Sequence, residues 1–472
     1  MAVKEHHTGI SANEKSRGFL PLQSNEVSSK RCEGFHRKTI DSLISSDRPV
    51  WEQIEKEYTR QKASLQLVAA ENRCSAAVLA ALGSILQNKT AEGPAGERLH
   101  GGCRVVDEIE RLAIERAKET FNAQYANVQP HSGTQANQIV LNAVLQKGDK
   151  ILSLPDEQGG HFSHGSATSI TGKLYKVEHY HLDKNTFRLD YDEIRKKAKQ
   201  CRPKMIICGA SAYPRVIDFG NFRKIADEAG AFLLADISHI SGLIIAGAHP
   251  SSINFAHFTT TSTYKPGGPR GGLILMGKDH NQKINFEGKN IAIEKLLEQS
   301  TFPGIQGTPY FNHIAAKAVF FNETLSDEYR HRQFKIVENA KRLASGLVKA
   351  GLDVVTTGTD NHLVLVNVGG IKMGLTGDIA QKALEECGIV VDKIDLPYQK
   401  KGITSGIRFG TPIVTKIGMG PEQMELAALL VCSVLRAIKL TGRGGYEIDR
   451  QVRHKAIEEI AGLCKTFDKE GF

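Results

Sequence analysis

Lys265 and Asp236 are the residues of this chain best suited to bind an organic group covalently and tune it. Lys265 lies within Thr-Thr-Thr-Ser-Thr-Tyr-Lys-Pro-Gly-Gly-Pro-Arg, residues 259–270, after a strand-like run that begins at His257. A lysine amine condenses with an aldehyde when its surroundings favour the neutral nucleophile. Asp236 closes the apolar run from Ala231 to Ala235, which reads as a buried strand, and His239 follows in Asp-Ile-Ser-His. A carboxylate aimed at a pyridine nitrogen keeps that ring protonated, so that it accepts an electron pair. A strand-end Asp and a Lys in a later loop would meet at the carboxyl edge of a parallel sheet, where open α/β sheets hold ligands.

Taken singly, each residue has an ordinary reading, the Asp as a cap and the Lys as a solvated loop residue. A third segment joins them: His131-Ser132-Gly133-Thr134-Gln135-Ala136-Asn137, directly before the apolar, helix-like run from Ile139 to Leu145. Ser132, Gly133 and Thr134 at a helix start would turn N–H groups toward a dianion, although the same residues also make a plain N-cap. An amine, a ring-directed carboxylate and a phosphate cradle are together the anchor points for pyridoxal 5'-phosphate.

The elements that must position these groups alternate along the chain. Strand-like runs at Lys150–Leu154, Met205–Cys208, Ala231–Asp236, Phe258–Thr261 and Gly272–Met276 are separated by helical stretches. That alternation predicts an α/β fold with a parallel sheet covered by helices on both faces. Helical spacing runs from Trp51 to Leu67 and again from about His313 to Ala350; short strands at Leu363–Val368 and Ile389–Asp392 precede a helix at Pro421–Leu440. The length of 472 residues allows two or three domains. The expected division is a polar arm over residues 1–48, a large domain over 49–315 and a smaller α+β domain over 316–472.

Composition narrows the function classes. Charged residues make up 24% and the net charge is +9, but the basic residues are interspersed with acids, which argues against nucleic acid and for attraction of small anions. Eight cysteines are dispersed without a Cys-x-x-Cys pair, which points to a reducing compartment and no metal site. No apolar stretch approaches membrane-spanning length, and the polar first residues lack a secretory pattern and are too acidic for a mitochondrial presequence, so a cytoplasmic location is expected.

From about Trp51 to about Leu440 the chain resembles the serine hydroxymethyltransferase family of fold-type I pyridoxal phosphate enzymes. The resemblance is carried by Ala69-Ala70-Glu71-Asn72, Asn88 to Gly93, Gly101-Gly102-Cys103, Pro130 to Gly133, Gly159 to Gly165, Ser211-Ala212-Tyr213 and Asp236 to His239. It continues through Gly268 to Gly272, Phe302 to Gly307, Thr359 to His362 and Ser405 to Arg408. It implies a large domain with a mainly parallel seven-stranded sheet and a smaller C-terminal α+β domain. By resemblance Lys265 holds the cofactor, Asp236 pairs with its ring nitrogen, His161 stacks on its face, and His239 and Ser211 approach its phenolic oxygen. Ser132, Gly133 and Thr134 take the phosphate, with Gly307 and Thr308 reaching it from a neighbouring subunit. Arg408 grips the substrate carboxylate, and Glu92, also from the neighbour, moves a proton at the substrate hydroxyl. A homodimer or tetramer follows.

Several positions depart from the family pattern. Leu99 and His100 stand where a pair of tyrosines is usual, Thr90 replaces the phosphate-side tyrosine, and Ala70 replaces a serine. Tyr264 replaces the histidine before the lysine, Thr308 replaces a glycine, and the loop after Lys265 is one residue shorter. His100 and Tyr264 therefore become candidate substrate contacts. Asp156 falls where a leucine flanks a folate pterin, and Ile394-Asp395 where an asparagine reads its edge. The expectation is aldol or transaldol chemistry at Cα–Cβ of a glycine-, serine- or threonine-type amino acid, with an aldehyde co-substrate and without folate. The alternatives are tetrahydrofolate-dependent serine hydroxymethyl transfer, decarboxylation or dioxygen-dependent oxidation, and a non-catalytic scaffold.

Overall fold

The computed structural model describes residues 38–399, 404–442 and 444–467. Most of the polar arm expected over residues 1–48 lies outside them. The chain divides into two compact units, 1–53 and 54–472, and the second contains both sheets and the candidate site described below.

Its centre is a seven-stranded sheet. In chain order the strands are β1 (Tyr125–Asn127), β2 (Lys150–Ser153), β3 (Lys176–His179), β4 (Met205–Cys208), β5 (Phe232–Asp236), β6 (Phe258–Ser262) and β7 (Gly272–Met276). Their spatial order is β1-β7-β6-β5-β4-β2-β3. β3, β2, β4, β5 and β6 run parallel, whereas β7 is antiparallel to both its neighbours. The five expected runs all form strands. β4, β6 and β7 are buried at every position, which is why they read as unbroken apolar or Thr-rich runs without alternation. β1 and β3 gave no such signal: Tyr-Ala-Asn is only three residues, and Lys-Val-Glu-His is an edge strand with two charged residues.

The reversed strand β7 has a structural consequence. Its first residue, Gly272, lies on the same sheet edge as the last residues of β5 and β6. There Gly272 N donates to Pro130 O at 2.9 Å, tying the 130–134 loop to the edge. A Cβ at Gly272 would stand 2.1 Å from Ser132 O, so only glycine permits this approach.

A second, antiparallel sheet is built from β8 (Asp353–Val354), β9 (Leu363–Asn367), β10 (Asp392–Ile394) and β11 (Gly406–Gly410), in the order β8-β9-β11-β10. Helices Asp327–Lys349, Gly377–Glu386 and Pro421–Ala437 share its apolar core through Leu343, Leu347, Ala380, Ala427 and Val431. Three sequence expectations need correction here. Helical spacing from Trp51 to Leu67 becomes a helix ending at Lys62 and then a short strand, Leu65–Gln66, paired parallel with Ile389–Val390. Pairing of these buried residues outweighs local helical spacing. The single helical region from His313 to Ala350 is two helices, Phe311–Thr324 and Asp327–Lys349, because Ser326 caps the second by accepting from Tyr329 N. The run Ile389–Asp392 splits after Val390, and its second part pairs with β11 instead. Among the described residues no helix is long and apolar enough to cross a membrane.

One buried cation locks a helix to the sheet edge. Lys317, on helix Phe311–Thr324 and 1% exposed, donates to Val128 O at 2.6 Å, Gly272 O at 2.8 Å and Pro130 O at 3.1 Å. Three carbonyls match the three N–H bonds of an ammonium, yet burial pushes its pKa down to about 7 from 10.5. Between those values the unfolded chain binds a proton that the folded chain does not, so this group makes stability rise with pH. Urea unfolding at pH 7, 8 and 9 should therefore show a rising contribution that Lys317→Met abolishes. An equal effect of Lys317→Met at all three values would mean that the ammonium keeps its ordinary affinity for protons.

Candidate active site

The sheet edge where β4, β5 and β6 end holds a cavity lined by His131, Ser132, Gly133, Thr134, His161, His164, Ser211, Asp236, Ser238, His239, Ser262, Tyr264, Lys265 and Arg270, among others. The sequence expectation of an Asp at a strand end facing a loop Lys is realised: Asp236 ends β5, and Lys265 follows β6 by three residues.

Asp236 forms the floor. Its Oδ2 accepts from Asn137 Nδ2 at 2.8 Å and meets His164 Nε2 at 3.0 Å; its Oδ1 accepts from Ser238 N at 3.0 Å and Ser238 Oγ at 2.6 Å. Burial alone raises a carboxyl pKa. Here the hydrogen bond and charge of His164, the charge of His161 and the Ser238 hydroxyl outweigh that burial and hold the group well below the usual carboxylate range. An ionised carboxylate at the bottom of a cavity is what a protonated ring nitrogen requires.

Helix Gly133–Val144 supplies both the cradle and a girder. Ser132 is its N-cap, accepting from Gln135 N at 3.1 Å, so the first-turn N–H groups point into the cavity mouth. One turn further along, Asn137 also donates to Ser163 Oγ at 2.9 Å and accepts from Thr260 Oγ1 at 2.5 Å. Beside the cradle His131 stacks on Tyr310 with ring centroids 4.2 Å apart, and its buried Nε2 has no partner.

His161, expected on the ring face, and His239, expected near the phenolic oxygen, both line the cavity. His161 Nδ1 lies 2.7 Å from Ser163 Oγ, and burial pushes its pKa down to about 4, so it is neutral at pH 7. His239 is held well below its ordinary value by burial and then by the charge of Lys265. It stacks on His362, centroids 5.6 Å apart. Lys265 Nζ is 3.3 Å from Ser262 Oγ and 4.8 Å from the Tyr264 ring centroid, while Arg270 Cζ lies 4.0 Å from the same ring. The lysine's backbone is pinned by Asn72 Nδ2, which donates to Lys265 O at 3.0 Å.

Arg408 lies on β11 just behind Ser211, whose carbonyl accepts from its Nη1 at 2.6 Å; Nη2 donates to Asp392 Oδ2 at 2.7 Å. The remaining expected site residues gather elsewhere. Glu92 N donates to His100 Nδ1 at 3.3 Å, Ala91 N donates to Thr308 Oγ1 at 2.8 Å, and a Cβ on Gly307 would stand 3.0 Å from Glu92 Oε1. Glu92, His100, Gly307 and Thr308 thus form one cluster that does not line this cavity.

The family model described as serine hydroxymethyltransferase matches residues 43–431. The chain belongs to the serine hydroxymethyltransferase family. It is 48% identical, over 389 residues, to the serine hydroxymethyltransferase of Methanosarcina barkeri (strain Fusaro / DSM 804), covering 82% of this chain and 91% of the relative. The fold is accordingly that of the fold-type I pyridoxal phosphate enzymes, and pyridoxal 5'-phosphate is the family's cofactor. The residues present fit that group: the orphaned His131 Nε2 beside a twelve-residue helix N-terminus suits a phosphate, and the low-pKa Asp236 suits a pyridinium. Gly133 has no room to spare, since a Cβ there would lie 3.2 Å from Ser262 N.

Asn137, His164, Ser238, Ser262 and Arg270 belong to this site but carried no individual signal in the sequence. Asn137 sat unremarked within the phosphate motif, and His164 reads as an ordinary loop histidine. A buried amide making three bonds is costly to lose. Asn137→Leu should lower unfolding free energy by ~2 kcal/mol, through hydroxyls and a carboxylate left short of partners. It should also weaken cofactor binding about tenfold, since 1.4 kcal/mol is a factor of ten, as read by absorbance titration of the apoprotein.

Proposed function

We propose that this family member moves the hydroxymethyl group of serine to tetrahydrofolate, leaving glycine. The observation that carries the reading is the 48% identity to a serine hydroxymethyltransferase over 82% of this chain and 91% of the relative. That likeness favours the folate-linked alternative over the folate-free aldol reaction expected from the departures in the pocket.

When bound, the cofactor links its aldehyde to an amine and accepts the electron pair released at Cα. The chain's own residues do the rest. Lys265 would supply the amine that holds the cofactor and would give it up to the substrate's amine. Asp236, ionised at any pH where the enzyme works, holds the proton on the ring nitrogen. His161, neutral at pH 7, would cover the ring without adding charge. Ser132, Gly133 and Thr134 fix the phosphate. Arg408 would take the substrate carboxylate and so would orient the bonds at Cα for reaction. Glu92 removes the proton from the serine hydroxyl as the Cα–Cβ bond breaks.

Glu92 and the Gly307 loop lie outside the cavity of their own chain, which supports a homodimer in which each copy completes the other's site. Coexpression of Lys265→Ala with Glu92→Gln should then restore about a quarter of wild-type turnover. Half of the dimers are mixed, and each of these has one intact site. Recovery no greater than the single variants would place Glu92 in its own chain's chemistry.

A second reading, folate-free cleavage of β-hydroxy amino acids, is favoured by Asp156, which opens the turn Asp156–Gln158 leading into the His161 loop. The two separate in one assay. Glycine formation from serine should rise at least about tenfold when tetrahydrofolate is added, a gain in transition-state stabilisation of roughly 1.4 kcal/mol. Carrier-independent cleavage of threonine or phenylserine at the faster rate would establish the second reading instead.

A further inference from the structure

The partner of Arg408 carries information that the family's reaction does not require. Arg408 sits at the centre of the antiparallel sheet, with Leu365 directly opposite on β9 and Asp392 directly opposite on β10. Direct cross-strand neighbours present their side chains on one face, so the guanidinium and the carboxylate meet at 2.7 Å between Nη2 and Oδ2. The Arg408 side chain is 10% exposed and that of Asp392 28%. A second bond, from Nη1 to Ser211 O, points the fork toward the cavity wall. These bonds occupy two of the five N–H donors, and the buried Nε has no partner.

The fork is therefore already neutralised by one carboxylate and retains donors for one more. Glu71 stands nearby: burial, and next the charge of Asp392, raise its pKa, while Arg60 and Arg270 oppose the rise. Asp392 is thus the carboxylate paired with the arginine, and a second acidic group, Glu71, feels the charge of Asp392.

We infer that Asp392 is a specificity-determining residue, holding the Arg408 fork in register and limiting the site to substrates that bring a single carboxylate. The inference rests on the reading that Arg408 receives the amino-acid carboxylate. Arg408 stands behind Ser211 rather than in the cavity lining, so an incoming α-carboxylate would reach the unpaired N–H groups of the fork past that wall, against the repulsion of Asp392. A second carboxylate on the substrate finds no unpaired cation of the Arg408 pair and adds to that repulsion, since like charges in juxtaposition suppress the wrong ligand.

The test uses the holoenzyme titrated with serine and with aspartate, read by the change in cofactor absorbance. Asp392→Asn keeps an acceptor oxygen for Nη2 but removes the charge. It should tighten serine about tenfold and reduce the preference for serine over aspartate by about tenfold, the size of one screened charge contact. Asp392→Ser, smaller and also neutral, should show the same loss of preference. Unchanged preference in both variants, or weaker binding of both ligands, would sink the inference and leave Asp392 as a prop. Arg408→Gln separates the underlying reading. If that substitution leaves serine affinity unchanged, Arg408 does not receive the carboxylate, and both readings fall together.

Discussion

The Asp236 carboxylate is the interaction around which this site is assembled. A buried charge is tolerated only when it is paired and hydrogen-bonded, and here the partners come from separate parts of the chain. Asn137 reaches it from helix Gly133–Val144, His164 from the Gly-rich 159–165 loop, and Ser238 from the turn after β5. Satisfying one carboxylate thereby sets the distance from the start of helix Gly133–Val144 to the His164 loop and to the end of β5. Ser238 also accepts from Ser262 N at 2.9 Å, which carries the same constraint to the end of β6, three residues before Lys265. The functional groups are held in mutual register because they share a charge that cannot be left bare.

Much of this was legible because the chemistry demands residue types that stand out. A lysine before Pro-Gly-Gly-Pro, an Asp closing an apolar strand and a Ser-Gly-Thr helix start each have few uses in combination, and all three line one cavity. The five core strands were legible for a different reason: burial on both faces leaves continuous apolar runs. What escaped notice depended on tertiary pairing. β11, Gly-Ile-Arg-Phe-Gly, has an arginine at its middle and glycines at both ends, yet it is the central strand of its sheet. Asn137 and His164 escaped for a related reason. An amide and a loop histidine look ordinary until a carboxylate that lies 99 and 72 positions away in sequence is brought against them.

The departures from the family pattern acquire a physical context in the fold. Tyr264 is an aromatic platform, with both Lys265 and Arg270 against its ring. A cation over a tyrosine face is stabilised by the ring quadrupole, and more so as it is desolvated. Substitution of the histidine therefore leaves the lysine with a partner, of a kind that donates no charge of its own. Thr308 is no idle replacement either. Its hydroxyl accepts from Ala91 N and ties the Gly307 loop to the Glu92 segment.

That coupling bears on the proposal that two copies complete each other's site. The Glu92 segment is braced by Arg98, which is nearly fully buried and bonds Asp107, Glu110 and the Gly93 carbonyl while lying against Phe311. So firm an anchorage around a glutamate absent from its own chain's cavity is hard to explain as loop packing alone. A proton-transferring carboxylate must be held within hydrogen-bonding reach of its target, and rigidity is of use only where a target exists. The bracing is what the proposed pairing requires: in it this surface would meet a second copy, whose cavity would take Glu92.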